Sequence, residues 1–124
     1  MDLVCSVLYR YTAQATFTYA SFFALTGGVV LGWMAVIAGA FDLKKVSESN
    51  PAVLTKAVVH GSINASMLIA YTVIFFSSYK VYPALMPDSI SVTIVKAFLV
   101  LTLIIGNFLG GSLILKHKVA VESE

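Results

Sequence analysis

The sequence predicts an all-α integral membrane protein, a bundle of three transmembrane helices over about 12–42, 53–79 and 89–118. Three observations carry this reading. Of 124 residues, 59% are hydrophobic and only 11% charged, whereas about a quarter of a soluble domain is charged. The charges fall in clusters that leave three charge-free intervals, 11–41, 57–79 and 97–115. Each interval approaches or exceeds the roughly 20 residues a helix needs to cross a bilayer. Lipid offers open backbone groups no hydrogen bonds, and three segments of this size cannot close a barrel, so the spans are helices.

The lead-in, MDLVCSVLYR at 1–10, is amphipathic and too short to span; it is expected to lie in the interface or extend the first helix. It opens with Asp2 rather than a basic region and has no small-residue cleavage site, so the first span is expected to be retained. That span is long for a perpendicular crossing, which predicts tilt, a protruding end or a bend at Gly27-Gly28. The hydrophilic run LKKVSESNPAVLTK follows, with Ser49-Asn50-Pro51 as a turn opening the second helix. After that helix, Pro83 and Pro87 interrupt helical geometry, and Asp88-Ser89 stand where the third helix needs a cap. Residues 119–124 form a polar tail, and 1–124 reads as a single transmembrane domain without internal repeats.

Several function classes are excluded. The lone cysteine, Cys5, supports neither a stapled scaffold nor a zinc module. A formal charge of +2 is too small for nucleic-acid binding. A Ser/His/Asp set could be drawn from Ser62, His60 and Asp42, but no nucleophile elbow or phosphate loop accompanies it. No independent catalytic activity is expected. The spans hold no acidic residue at mid-membrane, so a small transporter has no evident ion path.

Alternating helices put Asp42, His60 and His117 on one membrane face. That face carries Lys44, Lys45, Lys56, Lys116 and Lys118, against Arg10, Lys80 and Lys96 on the other, which predicts that the histidine side is cytoplasmic.

Helical periodicity groups the polar and small residues. His60, Asn64, Met67 and Tyr71 share a face of the second helix, and Gly106, Gly110, Leu113 and His117 a face of the third. In the first helix Leu31, Ala35, Ala38 and Asp42 share a face, with Trp33 directed the other way toward lipid or a partner. Gly28 with Gly32, and Gly106 with Gly110, read first as helix-packing positions, because glycine at i and i+4 lets another backbone approach. A groove for a flat ligand is the sharper alternative.

His117, between two lysines just past the apolar run, reads on its own first as a membrane-edge anchor and second as a ligand. His60 lies one helical turn inside Lys56, at a depth where ionisable groups are paired or functional. Neutral imidazoles suit haem iron, copper or zinc, so His60 and His117 are the candidate ligands of a b-type haem or a transition metal. Asp42 could complete a small metal site or orient an imidazole N–H.

Three stretches carry a family resemblance: GGSLILKHKVAV at 110–121, GWMAVIAGAFDL at 32–43 and VVHGSINASML at 58–68. They resemble a family of small prokaryotic membrane proteins catalogued only as a domain of unknown function, whose last helix closes with Gly-Gly, an aliphatic pair, a basic residue, His and Val-x-Val. Family members generally have four helices, the first with a further histidine; here that helix is absent or reduced to 1–10. Ser112 stands where the family often has an acid, and Lys118 where it often has Gly. The resemblance implies association with cytochrome and Rieske-type modules in a prokaryotic inner membrane, and carries Asp42, His60 and His117 over as site residues.

The expected function is a small multi-pass subunit of a larger, respiratory or redox, membrane complex, holding haem or metal through His60 and His117. The alternative is a purely structural accessory subunit without a cofactor. Either implies lipid contact and docking against other membrane subunits or further copies of the chain, since two glycine-rich faces exceed what three helices can cover.

Overall fold

A computed structural model describes residues 1–47 and 51–117, with side chains over 1–43 and 54–108 and at 111. Ser49, Asn50 and the tail 119–124 lie outside the described residues. Four helices follow in order: α1 (Asp2–Thr12), α2 (Ala15–Ser47), α3 (Pro51–Tyr79) and α4 (Ile90–His117). Three of them are long and apolar enough to cross a membrane, over Ala15–Leu43, Leu54–Tyr79 and Ile90–Phe108. Among the described residues only a handful of apolar side chains are buried, Phe22, Leu25, Leu68 and Leu99 among them, while rings such as Phe98 and Phe108 stand exposed. That inversion is what lipid as solvent allows, since it solvates apolar side chains as well as a core does.

The lead-in is a helix of its own. It neither extends α2 nor lies apart from the bundle. Ala13 adopts a left-handed conformation (φ 53°) and its N–H donates to the Tyr9 carbonyl at 2.7 Å. Ala13 and Gln14 thereby reverse the chain and fold α1 back against α2. α1 also reaches α4, where an Arg10 Nη donates to the Asp88 carbonyl at 2.8 Å and to Thr93 Oγ1 at 3.2 Å.

α2 is helical without interruption through Gly27 and Gly28 and runs 33 residues, so its excess length is taken up along the axis rather than by a break. It packs on α3 where Gly32 faces Leu68: a methyl on Gly32 would sit 2.6 Å from Leu68 Cδ1. One residue on, Trp33 Nε1 donates to Thr72 Oγ1 at 3.1 Å. Trp33 therefore contacts α3 within the chain, correcting its sequence-based assignment to the opposite side. α3 meets α4 at Gly106, where a methyl would lie 3.1 Å from Asn64 Oδ1.

The turn between α3 and α4 is held from α2. Tyr82 stacks on Phe22 with ring centroids 5.4 Å apart, and Tyr19 donates to the Pro83 carbonyl at 2.9 Å. Ser89 caps α4, its Oγ accepting the Val92 N–H at 3.3 Å. Asp88, beside it, serves a different purpose. Among the described residues the backbones of α2 and α4 stay apart, meeting through the Lys96–Ser21 side-chain contact: α3 joins them along their length and α1 bridges them at one end.

Candidate functional site

The space left between α2 and α4, walled by α3, is a cleft of about 1070 Å³. One wall is built from small residues at helical spacing on α2, Gly28, Gly32, Ala35 and Gly39, ending at Asp42. A methyl on Gly28 or Gly39 would meet nothing within 4 Å, so these glycines open the cleft where Gly32 closes a helix contact. The periodicity that grouped Leu31 and Ala38 with Asp42 was offset from the true stripe: Leu31 is exposed, and the stripe runs through Gly28, Gly32 and Gly39.

His60, Asn64 and Tyr71 line the cleft from α3, and Asn107 and Gly111 from α4. His60 Nδ1 lies 2.7 Å from the Gly106 carbonyl. A carbonyl can only accept, so Nδ1 carries the proton and a neutral ring keeps its lone pair on Nε2. Asn64 Nδ2, 3.1 Å from Nδ1 and 3.3 Å from Nε2, donates to the His60 carbonyl at 3.1 Å. The close approach of α3 and α4 at Gly106 thus fixes both the tautomer and the plane of the imidazole. This is the setting a metal-binding histidine ordinarily has, with one ring nitrogen donating to a carbonyl.

Asp42 sits exposed on the rim of the same cleft and shares no hydrogen bond with His60 among the described residues. α4 remains helical to His117. The side chain of His117, and Gly110, lie outside the part described to side-chain level. Backbone register nevertheless separates the two histidines: His117 lies eleven residues beyond Gly106, His60's partner, which is roughly 16 Å of helical rise. Among the described residues no three His, Cys, Asp or Glu side chains converge as a metal centre.

A second polar cluster went unread in the sequence. Lys96, on α4, is 1% exposed. Its Nζ lies 2.6 Å from Asp2 Oδ1 and 2.6 Å from Asp88 Oδ2, with Ser6 and Ser21 Oγ each at 3.4 Å. The Ser6 hydroxyl donates to Asp88 Oδ2 at 2.6 Å, and that of Ser21 to Asp2 Oδ1. Asp2 also lines the inner end of the cleft, and its Oδ2 is buried without a hydrogen-bond partner. The available signal was Lys96 itself, a charge two turns inside an apolar helix, which demands a partner. Its partners lie in the turn before α4 and at the start of the chain, where no local spacing rule points.

Compared with known proteins, residues 1–123 match the family described as predicted membrane protein DUF2231. The chain belongs to the DUF2231 family. No curated protein and no solved structure matches it. DUF2231 membership agrees with the three spans and specifies no activity, so function rests on the site.

Proposed function

We propose that this DUF2231 chain is a small integral membrane subunit of a larger redox complex, and that its cleft receives a b-type haem or a transition metal at His60. The carrying observation is the imidazole held by the Gly106 carbonyl, which makes Nε2 the ligating atom once the Asn64 amide, 3.3 Å away, turns aside. The cleft fits such a group: its glycine and alanine wall admits a flat macrocycle, and its volume is that of a cofactor site. Bound there, haem would supply one-electron transfer. The chain's residues orient the ring through Gly106 and exclude water through Leu68 and Leu103. His117, eleven residues beyond Gly106 on α4, is assigned to the membrane edge, and any further ligand would come from a partner subunit.

Orientation follows the same reading. With Lys96 withdrawn into the bundle, Arg10 and Lys80 remain against five lysines at the histidine end. This favours a prokaryotic inner-membrane protein with Asp42 and His60 toward the cytoplasm.

A second reading, the structural accessory subunit, is favoured by one observation. The open positions at Gly28 and Gly39 would equally admit a helix of a larger neighbour or of a further copy. A reduced-minus-oxidised visible spectrum of the gently solubilised complex separates the two. The expected result is a b-type α-band that His60→Ala abolishes and His117→Ala retains. A featureless spectrum, with metal analysis finding no stoichiometric ion, selects the accessory subunit.

A further inference from the structure

We propose that α1 is a hinged strap shutting one end of the cleft, and that the Asp2–Lys96–Asp88 cluster is its latch. α1 packs on α2 and reaches α4 at one end of the cleft, where α2 and α4 meet through Lys96 and Ser21. Its first turn, Met1 to Leu3, lines the inner end of the cleft. The turn between α3 and α4 lies on the same side, pinned by Tyr19 and Phe22. Removing α1 would open that end of the cleft toward the water on the α3–α4 turn side.

The strap's seam with α4 is polar. Asp2 holds Lys96, Ser6 holds Asp88, and Arg10 holds the Asp88 carbonyl and Thr93. Two carboxylates share one ammonium here, so the cluster holds together only while Lys96 is charged and in place. Take the ammonium away and two part-buried carboxylates face each other, an arrangement that repels and that partial desolvation penalises further. The short connection through Ala13 and Gln14, with Ala13 already left-handed, is the hinge about which α1 would leave. Other charged or titratable groups near the cluster include Arg10 on the outer side, Tyr9 beside Ser6 and Asp88, the Met1 amino group next to Asp2, and Tyr71, whose hydroxyl reaches the Lys96 carbonyl at 3.4 Å. None of these contacts either carboxylate's side-chain oxygens in place of the lysine. None of this depends on what occupies the cleft.

The chain's single cysteine supplies the test. Cys5 is buried, on α1 itself. The full chain, reconstituted in phosphatidylcholine vesicles open to reagent on both faces, is treated with a membrane-impermeant maleimide. Wild-type Cys5 should be protected, and Lys96→Gln should label at least about tenfold faster, as local opening predicts. Adding Asp2→Asn to Lys96→Gln restores the cluster's net charge and should recover protection, while Lys80→Gln, outside the cluster, should label as wild type does. If Lys96→Gln does not assemble, Arg10→Gln removes only the exposed outer tie and should raise labelling by a smaller factor. Wild-type Cys5 reacting as fast as in unfolded protein overturns the strap. Unchanged protection in Lys96→Gln, or in Arg10→Gln where that variant stands in, overturns the latch.

Discussion

Lys96 Nζ rests 2.6 Å from Asp2 Oδ1 across 94 residues of sequence, joining the first helix to the last inside an otherwise apolar bundle. A buried ion pair is not strong evidence of net stabilisation, because desolvation offsets most of the attraction. Breaking one is different, since the survivors stay buried and uncompensated. Lys96→Met is expected to destabilise the folded protein by about 3–5 kcal/mol, measured by unfolding in mixed micelles. A loss below about 1 kcal/mol, the scale of an exposed pair, would show that the cluster is wetter than its burial implies.

The two glycines of α2 that share a stripe should behave oppositely. Gly32→Val drives a branched side chain into Leu68, whose Cδ1 lies 2.6 Å from where a Cβ would be, and should cost about 1–3 kcal/mol. Gly28→Ala meets nothing within 4 Å and should be neutral or stabilise by up to about 1 kcal/mol through helix propensity. Equal losses at both positions would contradict the packing described.

Gly106→Ala tests how tightly the imidazole is set. The new methyl falls 3.1 Å from Asn64 Oδ1, a contact the amide can relieve by shifting a few tenths of an ångström. Stability should change little, by under about 1.5 kcal/mol. The His60 ring, which leans on the same helix crossing, should turn, and any absorption band that depends on it should shift or broaden. An unaltered band in Gly106→Ala beside a lost band in His60→Ala would separate ligation from ring positioning.

Trp33 is the chain's one tryptophan, so its fluorescence reports on a single contact. Thr72→Val removes the acceptor of the indole N–H at 3.1 Å while keeping side-chain shape. The emission should move to shorter wavelength as the indole loses its polar partner, and stability should fall by about 1 kcal/mol. Emission identical to wild type would place the indole away from α3.

Ser89→Ala should cost about 1 kcal/mol by leaving the Val92 N–H without its cap. Asp88→Asn should cost more, because Asp88 is committed to Lys96 and Ser6 and not to the helix end.

The three spans could be read directly because membrane crossing is a one-dimensional property: a charge-free run of sufficient length is a helix in lipid. The shared end for Asp42 and His60 followed from alternation alone. What stayed hidden depends on rotation and depth. Trp33 bonds inward because the azimuth of α2 is set by Gly32 against Leu68, one contact that no hydropathy pattern encodes. Lys96 counted as a loop-side charge because its carboxylates arrive from Asp2 and Asp88. α1 read as an undecided amphipathic stretch because the charged side chain that ties it down, Lys96, belongs to a helix that begins 78 residues beyond Thr12.

The Asp2–Lys96 contact also sets an order of events as the chain enters the bilayer. The α2–α3 hairpin can close as soon as both segments have emerged, through Gly32 with Leu68 and Trp33 with Thr72. α1 can fold against α2 earlier still, but Asp2 then waits, with only the Ser21 hydroxyl of its eventual partners at hand, until α4 is synthesised. Contacts between such distant segments form late, after the intervening loop has been closed. α1, made before the other three helices, is therefore the last of the four to reach its final position, and an insertion machinery that shelters nascent helices would need to hold α1 until α4 arrives.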